Sequence, residues 1–239
     1  MTTRRGGFST GLFDSMNLRD GLGDDVRSVA LNQRRLSESI GVSPIYLNQV
    51  HGHRVVRLTS TNAAAGAPRH EADACMTTEP GVVCAVQVAD CMPVLFAAPG
   101  AVAAAHAGWR GLAAGILDTT LDALCLAAGC VPGQVEAWLG PCIGPRRFEV
   151  GADVLQAFGC TPTSLPAADD PVEAPRFTPT KPGKWLANLP RLARERLVAR
   201  GVVSISGGTW CSVEEASRFF SFRRDGVTGR MVAAIWLTV

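Results

Sequence analysis

Apolar residues along the chain fall into runs of two kinds, and the spacing within each run predicts its element. From Asp24 to Ile40, Val26, Val29, Ala30, Leu31, Leu36 and Ile40 recur at roughly helical intervals behind two acids. That spacing predicts a helix, with negative charge at its favoured end. Gly111 to Ala128 predicts a second helix, with Leu112, Ile116, Leu121, Leu124 and Leu126 on its apolar face. Trp185 to Arg200 predicts a third, basic and amphipathic, whose Arg residues form a solvated face. Shorter runs bounded by Gly, Pro or Asp predict strands: Ile45–Val50 and Arg54–Leu58 around the turn His51-Gly52-His53, then Val82–Val88, Pro93–Ala97 and Ala101–Ala105. Val135–Leu139, Val202–Ser206 and Met231–Leu237 complete the set, and Phe219–Phe222 reads as a strand before a turn. Asn62–Arg69 and the Pro-, Ala- and Asp-rich stretch Thr161–Pro182 read as surface loops.

Strands and helices intermix without regular βα alternation. The expected fold class is therefore α+β, with layered mixed β-sheets flanked by helices in a single domain over residues 1–239. Hydrophobic residues make up 47% and charged residues 18%, enough for a substantial core. The formal net charge is only +2, there is one Tyr, and no Lys/Arg cluster is interleaved with aromatics, so no nucleic-acid partner is expected. Asp90, Pro93, Pro99 and Gly100 interrupt the most apolar region, Val82 to Ala105, so no membrane span is expected. Met1 to Gly7 precedes no apolar stretch, which points away from a signal peptide and toward the cytoplasm. Eight Cys, several inside apolar runs, read as reduced thiols, and none form the C-x-x-C pair of a zinc ribbon or thioredoxin. The sequence sets no oligomeric state.

Three residues stand where a strand hands over to a turn. His51 precedes Gly52, Cys91 breaks two apolar runs, and His106 ends a third. Imidazole and thiolate are good ligands for zinc or copper, and three of them leave one coordination position open, as in a catalytic site. The same residues suit a metal-free Cys–His nucleophile pair, or plain packing. Arg110, at a predicted helix start, favours anions. Asp73 and Asp90 lie in apolar surroundings, suited to orienting a ligand, moving a proton or making a structural hydrogen bond. Cys142 occupies the tight turn Gly140–Pro145, and Arg223 and Arg224 suit phosphate or structural pairing.

Several motifs then occur in a fixed order: Asn48-Gln49-Val50-His51-Gly52, Ala89-Asp90-Cys91-Met92-Pro93-Val94, His106-Ala107-Gly108-Trp109-Arg110-Gly111, Gly140-Pro141-Cys142-Ile143-Gly144 and Phe219-Phe220-Ser221-Phe222-Arg223-Arg224-Asp225-Gly226. With Gly7-Phe8-Ser9-Thr10, Gly23-Asp24-Asp25 and Thr228-Gly229-Arg230-Met231, the chain resembles the YfiH family over nearly its whole length. That family is also labelled multicopper polyphenol oxidase or laccase-like.

The resemblance implies a fold similar to the catalytic domain of cytotoxic necrotizing factor. It also implies zinc, with copper as the alternative, on His51, Cys91 and His106. The implied function is a purine nucleoside phosphorylase with adenosine deaminase and methylthioadenosine phosphorylase activity, taking purine nucleoside and phosphate. Asp73, Asp90 and Arg110 are then the expected catalytic residues. Gln49, Cys142, Arg223 and Arg224 are the expected substrate contacts.

Three other readings stand beside it: a metal-independent Cys–His amidohydrolase editing peptidoglycan precursors, a laccase-type copper oxidoreductase, and a non-enzymatic metal- or nucleoside-binding module. Four His in the chain are too few to furnish a multicopper site comfortably. The H-x-E with P-C-x-x-C pattern of the zinc nucleobase deaminases is absent, so deamination would use a different scaffold. One departure from the family is the shortened loop Gly11-Leu12-Phe13-Asp14, which lacks the usual Arg.

Overall fold

A computed structural model of the chain describes residues 1–64, 66–161 and 175–238. Its elements follow in the order α1 (Val26–Ile40), β1 (Pro44–Ile45), β2 (Val55–Arg57), β3 (Ala74–Thr77), β4 (Val83–Val88), β5 (Met92–Ala98), β6 (Ala101–Ala107), α2 (Trp109–Ala114) and α3 (Ile116–Ala128). Then come β7 (Glu136–Leu139), β8 (Glu149–Val150), α4 (Ala152–Ala157), β9 (Phe177–Pro179), β10 (Trp185–Ala187), α5 (Leu189–Ala199), β11 (Ser204–Gly207), α6 (Phe222–Asp225) and β12 (Met231–Ile235).

A six-stranded mixed sheet, ordered β11-β7-β5-β6-β3-β2, forms the middle layer. Side chains alternate across it, as the two-residue period of a strand requires. Ala74, Met76, Ala103 and Ala105 face one core with Leu117, Leu121 and Leu124 of α3 and Leu192 and Leu197 of α5. Cys75 and Ala104 face the other, with Cys84 and Val86 of β4 and Ala233 of β12. The second core lies under a smaller sheet, β1-β4-β12. Helices thus cover one face of the central sheet and a second sheet covers the other, the α+β layering expected. The small residues of β6 let both layers approach closely. A third sheet, β8-β10-β9, is antiparallel.

Several elements depart from the apolar pattern for local reasons. The helix expected over 111–128 is two helices, broken at Gly115, whose φ of 96° lies in the left-handed region. The helix expected from Trp185 begins at Leu189, where the Asn188 side chain accepts from the Arg191 amide and Pro190 occupies the first turn. Trp185–Ala187 pairs instead as β10. Of the first expected strand, Ile45–Val50, only Ile45 joins a ladder, together with Pro44 before it. Phe219 and Phe220 form no strand but pack with Val88, Ala89 and Met231, and Ser221 caps the short helix α6. Strand β3 goes unnoticed in the sequence because four residues buried on both faces show no period. Residues 177–179 of the expected loop 161–182 form β9, and residues 162–174 lie outside the described residues. Among the described residues no helix is long and apolar enough to cross a membrane.

Gly115→Ala would force an L-residue into the left-handed region between α2 and α3. We expect a loss of about 1–2 kcal/mol, read as a lowered urea midpoint at unchanged m-value.

Candidate metal centre and pocket

The β5–β6 hairpin brings two of the three expected ligands together. Pro93 pairs with His106 and Met92 with Ala107, so Cys91 falls opposite Gly108. A Cβ on Gly108 would lie 2.8 Å from Cys91 Sγ and 3.2 Å from His51 Cδ2, so the backbone there leaves room for nothing larger. His51 arrives from the loop between β1 and β2. The candidate ligand atoms of His51, Cys91 and His106 lie within 4.8 Å of one another. The His51 and His106 rings meet edge to face, with centroids 4.8 Å apart.

Asp73, at the entry to β3, sets this arrangement. Its carboxylate accepts from the backbone amides of Val50 (3.1 Å), His51 (2.9 Å) and Gly52 (2.7 Å). Successive N–H groups turned toward one anion make a nest, here filled by a side chain of the chain itself. The nest accompanies a φ of 63° at His51, a left-handed conformation uncommon in non-glycine residues. The same carboxylate takes His106 Nδ1 at 2.8 Å, leaving Nε2 for a ligand.

Electrostatics complete the donor set. Burial disfavours the Cys91 thiolate, yet the His106 charge and hydrogen bonds from His106 and His51 bring its pKa down to about 6. Burial likewise opposes charge on His106, but Cys91 and Asp73 raise its pKa to about 9. Burial opposes ionisation of Asp73 too, and His106 with the loop amides holds it below the usual carboxylate range. A thiolate and two imidazoles, one backed by a carboxylate, fit a borderline-soft cation such as zinc.

The cluster borders a cavity of about 420 Å³. Arg19, Arg110, Arg223 and Arg230 line it together with the apolar Trp109, Phe148 and Phe222. Of the expected site residues, Asp90 lines the cavity, with a φ of 86°. Its carboxylate accepts from Ser212 Oγ (2.5 Å) and the Arg223 amide (2.6 Å). Arg110 stacks on Trp109, its guanidinium 4.3 Å from the ring centroid. Gln49 also lines the cavity, but both ends of its amide are committed to the Gln87 backbone, at 2.9 and 2.8 Å.

Asp73 is fully buried and does not line the cavity. Cys142 is fully buried, its thiol turned to the Ile143 carbonyl, and burial pushes its pKa up. The Arg224 guanidinium is spent on the carbonyls of Ser212, Val213 and Phe219 and on Asp225. Neither Cys142 nor Arg224 lines the cavity. Arg19 and Arg230 do line it and went unmarked as site residues. Arg230 stands in the motif Thr228-Gly229-Arg230-Met231, but nothing local joins it to Arg19, far away at the other end of the chain.

Asp73→Asn keeps an acceptor but removes the charge and turns donors toward donors. We expect metal affinity to fall roughly 10- to 100-fold, measured by competition with a chromophoric chelator, with a lowered melting temperature in the metal-free protein.

The family model described as multi-copper polyphenol oxidoreductase laccase matches residues 1–238. A purine nucleoside phosphorylase of Pseudomonas aeruginosa is 44% identical over 241 residues, covering 99% of this chain and 92% of that protein. The purine nucleoside phosphorylase YfiH of Escherichia coli is 45% identical over 240 residues, with the same coverages, 99% and 92%. Among solved structures, a Neisseria meningitidis protein of the DUF152 family aligns with a TM-score of 0.88 at 43% identity, covering 100% of this chain and 93% of that one. YlmD of Geobacillus stearothermophilus aligns with a TM-score of 0.89 at 34% identity, covering 100% and 90%. Matched over essentially its whole length in sequence and in fold, the chain belongs to the YfiH family.

Proposed function

We propose that the pocket carries out zinc-dependent phosphorolysis of purine nucleosides. The observation that carries this reading is the His51–Cys91–His106 cluster at the edge of a cavity lined by four arginines and three aromatic residues. At about 420 Å³ the cavity lies within the usual range for small-molecule sites, about 300–1,000 Å³. Its aromatic wall suits a purine and its guanidinium groups suit phosphate. The relatives named purine nucleoside phosphorylase support the same class.

In this reading a phosphate oxygen forms a bond to the ribose C1′. The C1′–N9 bond breaks, and its electron pair and a proton end on the purine. When bound to these three residues, zinc would supply Lewis-acid chemistry beside the cavity. Cys91 would hold it as a thiolate, and His106 through Nε2 and His51 would supply the imidazoles. Asp73 keeps the His106 ring oriented. Asp90 holds the wall by tying Ser212 and the Arg223 amide beside Cys91, and Arg110 adds positive charge. Replacement of the 6-amino group of adenosine by water, releasing ammonia, is proposed for the same centre. So is phosphorolysis of methylthioadenosine, whose thioether suits the apolar lining. Among the described residues there is one metal-type cluster, whereas a multicopper oxidase needs several ligand sets.

A second reading is favoured by one observation. Cys91, His106 and Asp73 stand in line as thiolate, imidazolium and carboxylate, the order of a metal-free cysteine hydrolase. Its substrate would be an amide, as in peptidoglycan precursors.

Metal analysis with turnover of adenosine, inosine and methylthioadenosine separates the two. We expect about one zinc per chain, phosphate-dependent base release, and loss of both in Cys91→Ala. Base release that survives complete chelation would overturn the zinc reading. Amide hydrolysis by metal-free protein would establish the hydrolase.

A further inference from the structure

The guanidinium groups around the cavity are not equivalent. Arg110 stacks on Trp109, and Arg223 donates to the carbonyls of Arg147 and Glu149. Arg19 and Arg230 differ from both. Each is half-buried, whereas Arg110 and Arg223 are exposed, and none of the four guanidinium groups has a carboxylate partner among the described residues. Arg19 makes no side-chain hydrogen bond there. Among the described residues Arg230 hydrogen-bonds only through Nη1, to the carbonyls of Thr228 (2.8 Å) and Gly229 (3.1 Å), and its guanidinium lies 5.9 Å from the Phe222 ring centroid, with no hydrogen bond at Nε or Nη2.

A single buried amide holds the two arginines side by side. Asn17 Oδ1 accepts from the Arg19 amide (3.1 Å) and from the Arg230 amide (2.9 Å). Asn17 Nδ2 donates to the Arg19 carbonyl (3.0 Å) and to Asp24 (2.8 Å). Gly229 permits the approach, since a Cβ there would lie 2.9 Å from Asn17 Cβ. Two segments from opposite ends of the chain are thus locked with like charges adjacent. Burial, then the Arg19 charge, hold Arg230 below the usual arginine range, while Cys91 and Asp90 pull the other way. Arg230 therefore lies close enough to the Cys91 site to feel its charge. Two unneutralised guanidinium groups in a partly desolvated wall cost free energy that a bound dianion recovers. Gln87 lines the same cavity and donates to the Leu18 carbonyl, beside Arg19, at 2.7 Å. Its buried amide oxygen has no partner among the described residues, an acceptor suited to a ligand hydroxyl.

We infer that Arg19 and Arg230 form the phosphoryl-anion subsite of the pocket, binding inorganic phosphate before C1′ attack and the phosphate of the sugar phosphate afterwards. The inference rests on the phosphorylase reading for its ligand. It assigns phosphate to this pair rather than to Arg223 and Arg224.

The test measures inorganic phosphate binding to the zinc-loaded protein by calorimetry, and KM for phosphate and for inosine. The proteins compared are wild type, Arg19→Gln, Arg230→Gln and Arg230→Lys. Arg57→Gln, at the sheet edge where Arg57 bonds Thr78, serves as the charge control. Each Gln variant should weaken phosphate binding and raise phosphate KM roughly 10- to 100-fold, with inosine KM changed less than about twofold. Arg230→Lys should recover part of the loss, Arg57→Gln should match wild type, and ribose 1-phosphate should compete with phosphate. Arg19→Gln breaks no side-chain hydrogen bond or ion pair among the described residues, so it keeps the test open if Arg230→Gln fails to fold. Unchanged phosphate KM in a folded Arg19→Gln enzyme that still phosphorolyses inosine overturns the subsite and leaves the phosphorylase reading standing. Phosphate binding that is lost in the variants, with no base release by wild type, upholds the subsite and sinks the phosphorylase reading.

Discussion

Buried out of contact with solvent, the Asp73 carboxylate accepts four hydrogen bonds, three from the loop amides of residues 50–52 and one from His106. The rest of the site depends on this charge. The amides neutralise it from one side and hold His51 in a left-handed conformation. From the other side it fixes which nitrogen of His106 faces Cys91. Breaking a buried charge pair typically costs about 3–5 kcal/mol, so the loop and the imidazole are coupled through one group. The His106 amide also donates to the Asp73 carbonyl at 2.7 Å, which binds both residues to the same edge of β3 and β6.

The sheet supplies the remaining constraint. A hairpin of two seven-residue strands places Cys91 beside Gly108, and antiparallel register leaves little freedom in that distance. The ligands therefore stand on rigid elements rather than on mobile loops, with His51 the exception. It is also the exposed member of the three. Its loop is held by Asp73 rather than by a strand ladder.

Charge is distributed unevenly between this cluster and the cavity wall. The cluster gathers anionic groups, Asp73 and the Cys91 thiolate, balanced by imidazoles. The wall gathers cations, and its single carboxylate, Asp90, is already committed to Ser212 and the Arg223 amide. A cation on the cluster and an anion against the wall are complementary demands of one cavity. Phosphorolysis at a metal-assisted centre meets both. Amide hydrolysis by the thiolate meets the first arrangement without using the second.

Much of the fold was legible in the sequence because strand and helix periods are local. The apolar runs from Val82 to Ala105 became β4, β5 and β6, and Asp24–Ile40 became α1 with Asp25 as its cap. The convergence of His51, Cys91 and His106 was foreshadowed too, since each stands beside a break in an apolar run and within an ordered family motif. What the sequence determined by itself was therefore the α+β composition, the layers and the identity of the candidate ligands. The tertiary structure decided which polar residues share a cavity. It committed Arg224 to carbonyls, buried Cys142, placed the Asp73 carboxylate between the 50–52 amides and His106 rather than on the cavity wall, and set Arg19 against Arg230. Those outcomes depend on contacts between residues far apart in the chain, joined by Asn17 and by sheet register, and no local spacing encodes them.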